Sequence, residues 1–203
     1  MNLTSQFESA LDDLMTRIRG VLVVVNNKRQ GAGAGVLAGD GLVLTNNHVA
    51  GDGHALEVTL EDGGPYMAKL VKRNTDADLA LLQIAEHGHP AAIFSTREPR
   101  PGEMVFAYGH PWGQRNVLTG GVLSAVTTAH TRSGEIPILR SDVQLAPGNS
   151  GGPLLNAAGE VLGLNAMIFG GDQSVAIPAS IIREFLAEAH KSRPGPTIPG
   201  DVM

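Results

Sequence analysis

From Val21 onward the apolar residues of this chain come in short runs, broken by turn residues every 8 to 15 positions. That spacing leaves no room for the long 3.6-residue periods of a helical domain. The runs are VLVVV at 21–25, AGVLA at 34–38, LVLT at 42–45, ALEVTL at 55–60, MAKLVKR at 67–73 and ALLQI at 80–84, then MVFAYG at 104–109, NVLTGGVLSAV at 116–126, PLLN at 153–156, EVLGLNAMI at 160–168 and QSVAI at 173–177. Gly39-Asp40-Gly41, Asp62-Gly63-Gly64 and Ala158-Gly159 are good hairpin connections between them. Many short strands without intervening helices predict an all-β chain of antiparallel barrels or a sandwich. Helices are expected only at the ends. Over residues 5–19, Ser5 and Glu8 form a capping box, Phe7, Leu11, Leu14, Met15 and Ile18 share one face, and Gly20 supplies the stop. That face is expected to dock on the chain's own body. A second helix is expected over about 180–189, burying Ile181, Ile182, Phe185 and Leu186, before a Pro/Gly-rich tail or linker at 191–203.

Composition narrows the function. At 203 residues the chain suits one compact domain or two small barrels sharing a core. A net charge of −5 with no basic run argues against nucleic-acid binding. The absence of cysteine excludes disulfides and thiolate metal sites. His87-Gly88-His89 lacks carboxylate partners and reads as a solvated loop, so neither metal nor cofactor is expected. The N-terminal stretch has no secretory pattern and no run reaches membrane-spanning length. The expectation is therefore no membrane insertion and a cytoplasmic protein, or a periplasmic or other extracytoplasmic one if the chain is a trimmed piece.

Chemistry concentrates in three segments. TNNHVA delivers His48 at the end of a strand, DADLALL places Asp78 just before an apolar strand, and GNSGGPLL presents Ser150 among glycines. A serine hydroxyl needs a base to become a nucleophile, and the base needs a carboxylate to hold its tautomer. His48, Asp78 and Ser150 supply the three parts, with Asp78 preferred to Asp76 because it adjoins the apolar run. The N–H groups of Gly148 and Ser150 flank Asn149 and suit a developing oxyanion. The pattern G-x-S-x-G also occurs in α/β-hydrolases, but an esterase of that type needs Asp and His after the serine and alternating helices.

These three segments, with AYGHPWGQRNVLTGGVLSAV at 107–126 and EVLGLNAMIFGGDQSVAIPASII at 160–182, resemble the HtrA/DegP branch of the chymotrypsin-fold serine proteases. The resemblance covers roughly residues 5–190. It implies two six-stranded antiparallel β-barrels over 21–190, meeting near 90–102, with a helix over 1–20 before them and a helix at the end. It implies His48 as general base, Asp78 as its orienting carboxylate, Ser150 as nucleophile, and Gly148, Asn149 and Ser150 as the oxyanion turn. Leu145, Ile168 and Phe169 carry over as the substrate side-chain pocket. None is acidic, so aliphatic residues and unfolded or damaged polypeptide substrates are expected. Arg132, in Arg132-Ser133-Gly134, falls in the regulatory loop of that branch. A homotrimer through the N-terminal segment, with Phe7 in the contact, is a further implication. Members usually continue into PDZ domains, whereas this chain ends in the Pro/Gly tail. A protease-fold module that holds unfolded chains without cutting them is the competing function. His110 is expected to be structural and Trp112 to anchor the core.

Overall fold

A computed structural model describes residues 2–29, 31–131, 133–169 and 173–191. Six strands form the first barrel: β1 (Leu22–Asn27), β2 (Gly31–Gly39), β3 (Leu42–Asn46), β4 (Leu56–Thr59), β5 (Pro65–Asn74) and β6 (Leu79–Gln83). Six more form the second: β7 (Met104–Gly109), β8 (Val117–Thr131), β9 (Gly134–Ser141), β10 (Pro153–Asn156), β11 (Val161–Phe169) and β12 (Gln173–Pro178). Both sheets close on themselves, in the orders β1-β2-β3-β6-β5-β4 and β10-β11-β12-β9-β8-β7. Counting each barrel from its own first strand, the two orders are the same. Every strand pairing is antiparallel. The all-β double barrel with terminal helices expected from the sequence is the fold observed.

The period of two along a strand explains how the barrels join. In β3, Val43 lies in the interior of the first barrel, whereas Leu42 and Leu44 face outward. In β6, Ala80 and Leu82 go inward and Leu79 and Leu81 outward. The outward set is still buried, because it packs on Leu164 and Ile177 of the second barrel and on Ile182, Phe185 and Leu186 of the terminal helix α3 (Ala179–Lys191). A strand buried on both faces must be continuously apolar, as LALL is. Helix α3 is pinned further by Lys72, whose ammonium bonds the Phe185 carbonyl at 3.1 Å and lies 4.7 Å from the centre of the Phe185 ring. The linker between the barrels is bonded to both: Ala92 N–H donates to Leu37, and Ser95 N–H to Val161.

Helix α1 (Leu3–Arg19) buries Leu14 and Ile18, with Leu11 and Met15 packed partly against the same core. Leu14 also reaches the β10–β11 turn, where a Cβ on Gly159 would lie 3.3 Å from it. Leu3 and Phe7 remain exposed.

Three expectations are corrected. The cap of α1 is Asn2, whose side chain accepts the Ser5 N–H at 2.8 Å. Ser5 sits inside the helix and returns its hydroxyl to the Asn2 carbonyl. Gly20 ends the helix as expected, with φ −73°. Strand β9 was hidden by Glu135, Pro137 and Arg140, residues that break an apolar run. It forms because its partners β8 and β12 supply the ladder on both sides. Trp112 is 75% exposed and belongs to no core. The loop of His87 and His89 is largely exposed, and among the described residues no His, Asp or Glu cluster could hold a metal.

Phe185→Ala tests the shared core. Removing a buried ring from both the barrel seam and the Lys72 contact should cost about 3–5 kcal/mol, read as a drop in the chemical-denaturation midpoint with an unchanged slope.

Candidate active site

His48 lies on α2 (Asn47–Ala50), a single turn that follows β3 directly. The turn is fixed from below. Asn46, fully buried, donates its amide to the Asp78 carbonyl at 3.0 Å, and the Asn47 N–H donates to the same oxygen at 3.0 Å. Asp78 ends the β5–β6 connection. Asn74 shapes that connection by accepting the N–H groups of Asp76 and Ala77. Asp78 itself takes φ 52°, a conformation Asp tolerates better than most residues. One carboxylate oxygen of Asp78 accepts the His48 backbone N–H at 2.9 Å and the other meets Nδ1 of the ring at 2.7 Å. With Nδ1 as donor, Nε2 is left as the acceptor, which is the tautomer a general base requires. The neighbouring Asp76 instead accepts the hydroxyl of Ser133, at the tip of the β8–β9 hairpin.

Ser150 comes from the second barrel. Its turn is shaped by Asn149 N–H to Ala146 at 3.0 Å and Gly152 N–H to Asn149 at 3.0 Å. The turn is seated on the first barrel, where the Ala34 N–H donates to the Ser150 carbonyl at 2.8 Å. Thr45 in turn bonds the Ala34 carbonyl at 2.7 Å. Gly151, with φ 85°, lies so close that a Cβ there would collide with the Ala34 carbonyl and the Thr45 hydroxyl. Only glycine fits this crossing. Among the described residues the N–H groups of Gly148 and Ser150 donate no hydrogen bond. Asn149 between them is buried against Gly109, where a Cβ would strike its side chain.

The structure thus brings His48 and Asp78 into direct contact and sets the Ser150 turn on the barrel that carries them. It does not bond serine to histidine. The Ser150 hydroxyl donates to the Ala166 carbonyl at 3.0 Å. Leu145 is half-buried against the second barrel's core. Ile168 and Phe169 lie on β11, opposite Ser174 and Gln173, and their side chains are outside the described set. Arg132 lies outside the described residues altogether. Three contributors have no signature in the sequence: the Ala34 N–H, the Ala166 carbonyl and the Thr45 hydroxyl. The first two act through backbone atoms, which carry no residue signal.

His110 is the most perturbed titratable group beside the site. It is 6% exposed, its N–H donates to the Gly148 carbonyl at 3.4 Å, and its Nδ1 accepts the Asn116 N–H at 3.3 Å. Burial, and then the nearby Arg115 charge, lower its pKa from 6.5 to about 4. The ring is neutral when folded, and the unfolded chain takes up the proton first as pH falls. This stabilisation is therefore complete above about pH 6.5 and is lost progressively toward pH 4, by at most about 3 kcal/mol. A His110→Asn variant should flatten the melting-temperature profile across that window. Gly151→Ala should lower stability at every pH by lifting the Ser150 turn off Ala34, without changing the shape of the profile.

The comparisons agree with this architecture. A profile described as trypsin-like peptidase domain matches residues 33–164. Serine protease HTRA1 of Xenopus tropicalis is 38% identical over 161 residues, covering 76% of this chain and 35% of that protein. A probable periplasmic serine endoprotease DegP-like of Marinomonas sp. is 38% identical over 161 residues, covering 76% of this chain and 34% of that protein. The chain therefore spans about a third of the length of these curated relatives. The crystal structure of a serine endoprotease from Yersinia pestis superposes with a TM-score of 0.79 at 29% identity, covering 89% of this chain and 66% of that one. Among the described residues no helix is long and apolar enough to cross a membrane. With the double barrel, the His48–Asp78 pair and the serine turn all in place, the chain belongs to the trypsin-like peptidase family and is of HtrA/DegP type.

Proposed function

We propose that this chain is a serine endopeptidase in which Ser150 attacks a peptide carbonyl, His48 takes its proton and Asp78 steadies the histidine. The 2.7 Å contact between His48 Nδ1 and Asp78 carries this reading, because it fixes Nε2 as the free base. The attack forms a bond from the Ser150 oxygen to the carbonyl carbon. The Ser150 proton moves to His48 and then to the leaving amine, and water later repeats the cycle on the acyl-enzyme. The oxyanion is received by the Gly148 and Ser150 N–H groups, with Asn149 holding the turn between them. The reaction requires Ser150 to exchange its bond to Ala166 for one to His48.

Leu145, Ile168 and Phe169 are the proposed walls of the pocket for the residue before the scissile bond. An uncharged pocket of this kind favours Val, Ala or Leu over Lys or Arg. Such side chains are buried in folded proteins, so unfolded polypeptides are the proposed substrates. The exposed Leu3 and Phe7 of α1 support the proposal of a homotrimer through that segment. One observation favours the alternative of a latent binding module: the resting hydroxyl bonds Ala166 and not His48.

Intact mass after a fluorophosphonate probe decides between them. One adduct on the native chain and none on Ser150→Ala is expected. No adduct on either chain would favour the latent module. Asp78→Asn should leave the fold intact while reducing turnover of denatured casein by about 10⁴-fold. Mapped cleavage sites should follow aliphatic residues, and equal cleavage after Arg would refute the assigned pocket.

A further inference from the structure

Two cavities flank the Ser150 turn. One, of about 500 Å³, is walled by Asp78, Ile138, Arg140, Ala166 and Val175, and so adjoins β11, the strand carrying Ile168. The other, of about 320 Å³, is walled by Ala32, Gly33, His110, Trp112, Arg115 and Gly148. In the hydrolase reading above, a polypeptide with its acyl side toward β11 must leave across Gly148. Its leaving-group residues then enter the second cavity. We infer that this groove, formed by Trp112, Arg115 and His110, binds the substrate residues just after the scissile bond and selects a carboxylate side chain among them. The inference rests on that reading and deepens it.

The aromatic wall is built, not incidental. Trp112 is held at φ 54°, a costly conformation for a bulky residue. Its N–H donates to Pro147 at 2.9 Å, and the next two N–H groups bond His110 and Pro111 at 3.1 and 2.9 Å. The indole is thereby kept in solvent, beside the oxyanion turn. The one charged side chain lining the groove is the cation Arg115. Arg115 forms no hydrogen bond or ion pair among the described residues, and no acid lines the groove. Glu61, which shares an adjoining recess with Arg115, is engaged with Arg19 at 3.5 Å. The buried His110 uses Nδ1 as acceptor for Asn116, so its one proton is on Nε2, which is itself buried and has no partner among the described residues. An exposed cation beside an aromatic surface, with no acid in the lining, matches an acceptor with negative charge, and a carboxylate side chain is the polypeptide group that offers it.

The test uses quenched peptides built on a sequence the enzyme cuts in denatured casein, with Glu, Gln or Lys at each of the first three positions after the bond. At one position Glu should exceed Gln by about fivefold in kcat/KM, the scale of a partly exposed charge contact, with Lys below both. One molar salt should shrink that ratio. Arg115→Gln should abolish it and Arg115→Glu should reverse it toward Lys. Equal rates for Glu and Gln in the wild type, or a preference surviving Arg115→Gln, would overturn the assignment while leaving the hydrolase reading intact. A chain that takes no fluorophosphonate and cuts no casein would overturn both.

Discussion

The proposed chemistry depends on a hydrogen bond between two barrels. Ala34 of the first donates its N–H to the carbonyl of Ser150 in the second, across a gap that Gly151 keeps open by having no side chain. His48 and Asp78 are rooted in one barrel and Ser150 in the other, so no local structure could align them. The alignment is inherited from the seam, where Leu42, Leu44, Leu79 and Leu81 meet Leu164, Ile177 and the buried face of α3. Apolar burial supplies the affinity between the barrels, because it is large and non-directional. The Ala34–Ser150 bond and the glycine crossing supply the direction.

The two halves of the site differ in how tightly they are held. Asp78 accepts both the backbone N–H and the ring of His48, while Asn46 and Asn47 grip its carbonyl. Four hydrogen bonds thus hold that half in place. The serine side is poised, with its backbone fixed and its hydroxyl parked on Ala166.

Much of the fold was readable because its signals are short-range. Hairpin glycines and apolar runs of strand length located eleven of the twelve strands, and the amphipathic stripe located α1. The failures have different causes. Strand β9 has Pro137 and two charged residues, and only its place between β8 and β12 makes it a strand. Trp112 looked like a core anchor by residue type, yet the turn at Pro111 and Gly113 carries it into solvent. Ser5 fitted a capping motif, but Asn2 stood three residues earlier and captured the helix start.

What the sequence determined by itself was the strand-and-turn rhythm of two barrels, and it also nominated His48, Asp78 and Ser150 for the proposed chemistry, since side-chain chemistry and period-two burial are written residue by residue. What only the tertiary structure decided was where those residues meet: that Ala34 seats the serine turn, that Ala166 holds the resting hydroxyl, and that His110, Trp112 and Arg115 gather beside Gly148. These contacts run through backbone atoms or join residues far apart in the chain. No local pattern encodes them, and they exist only once the two barrels have closed and docked.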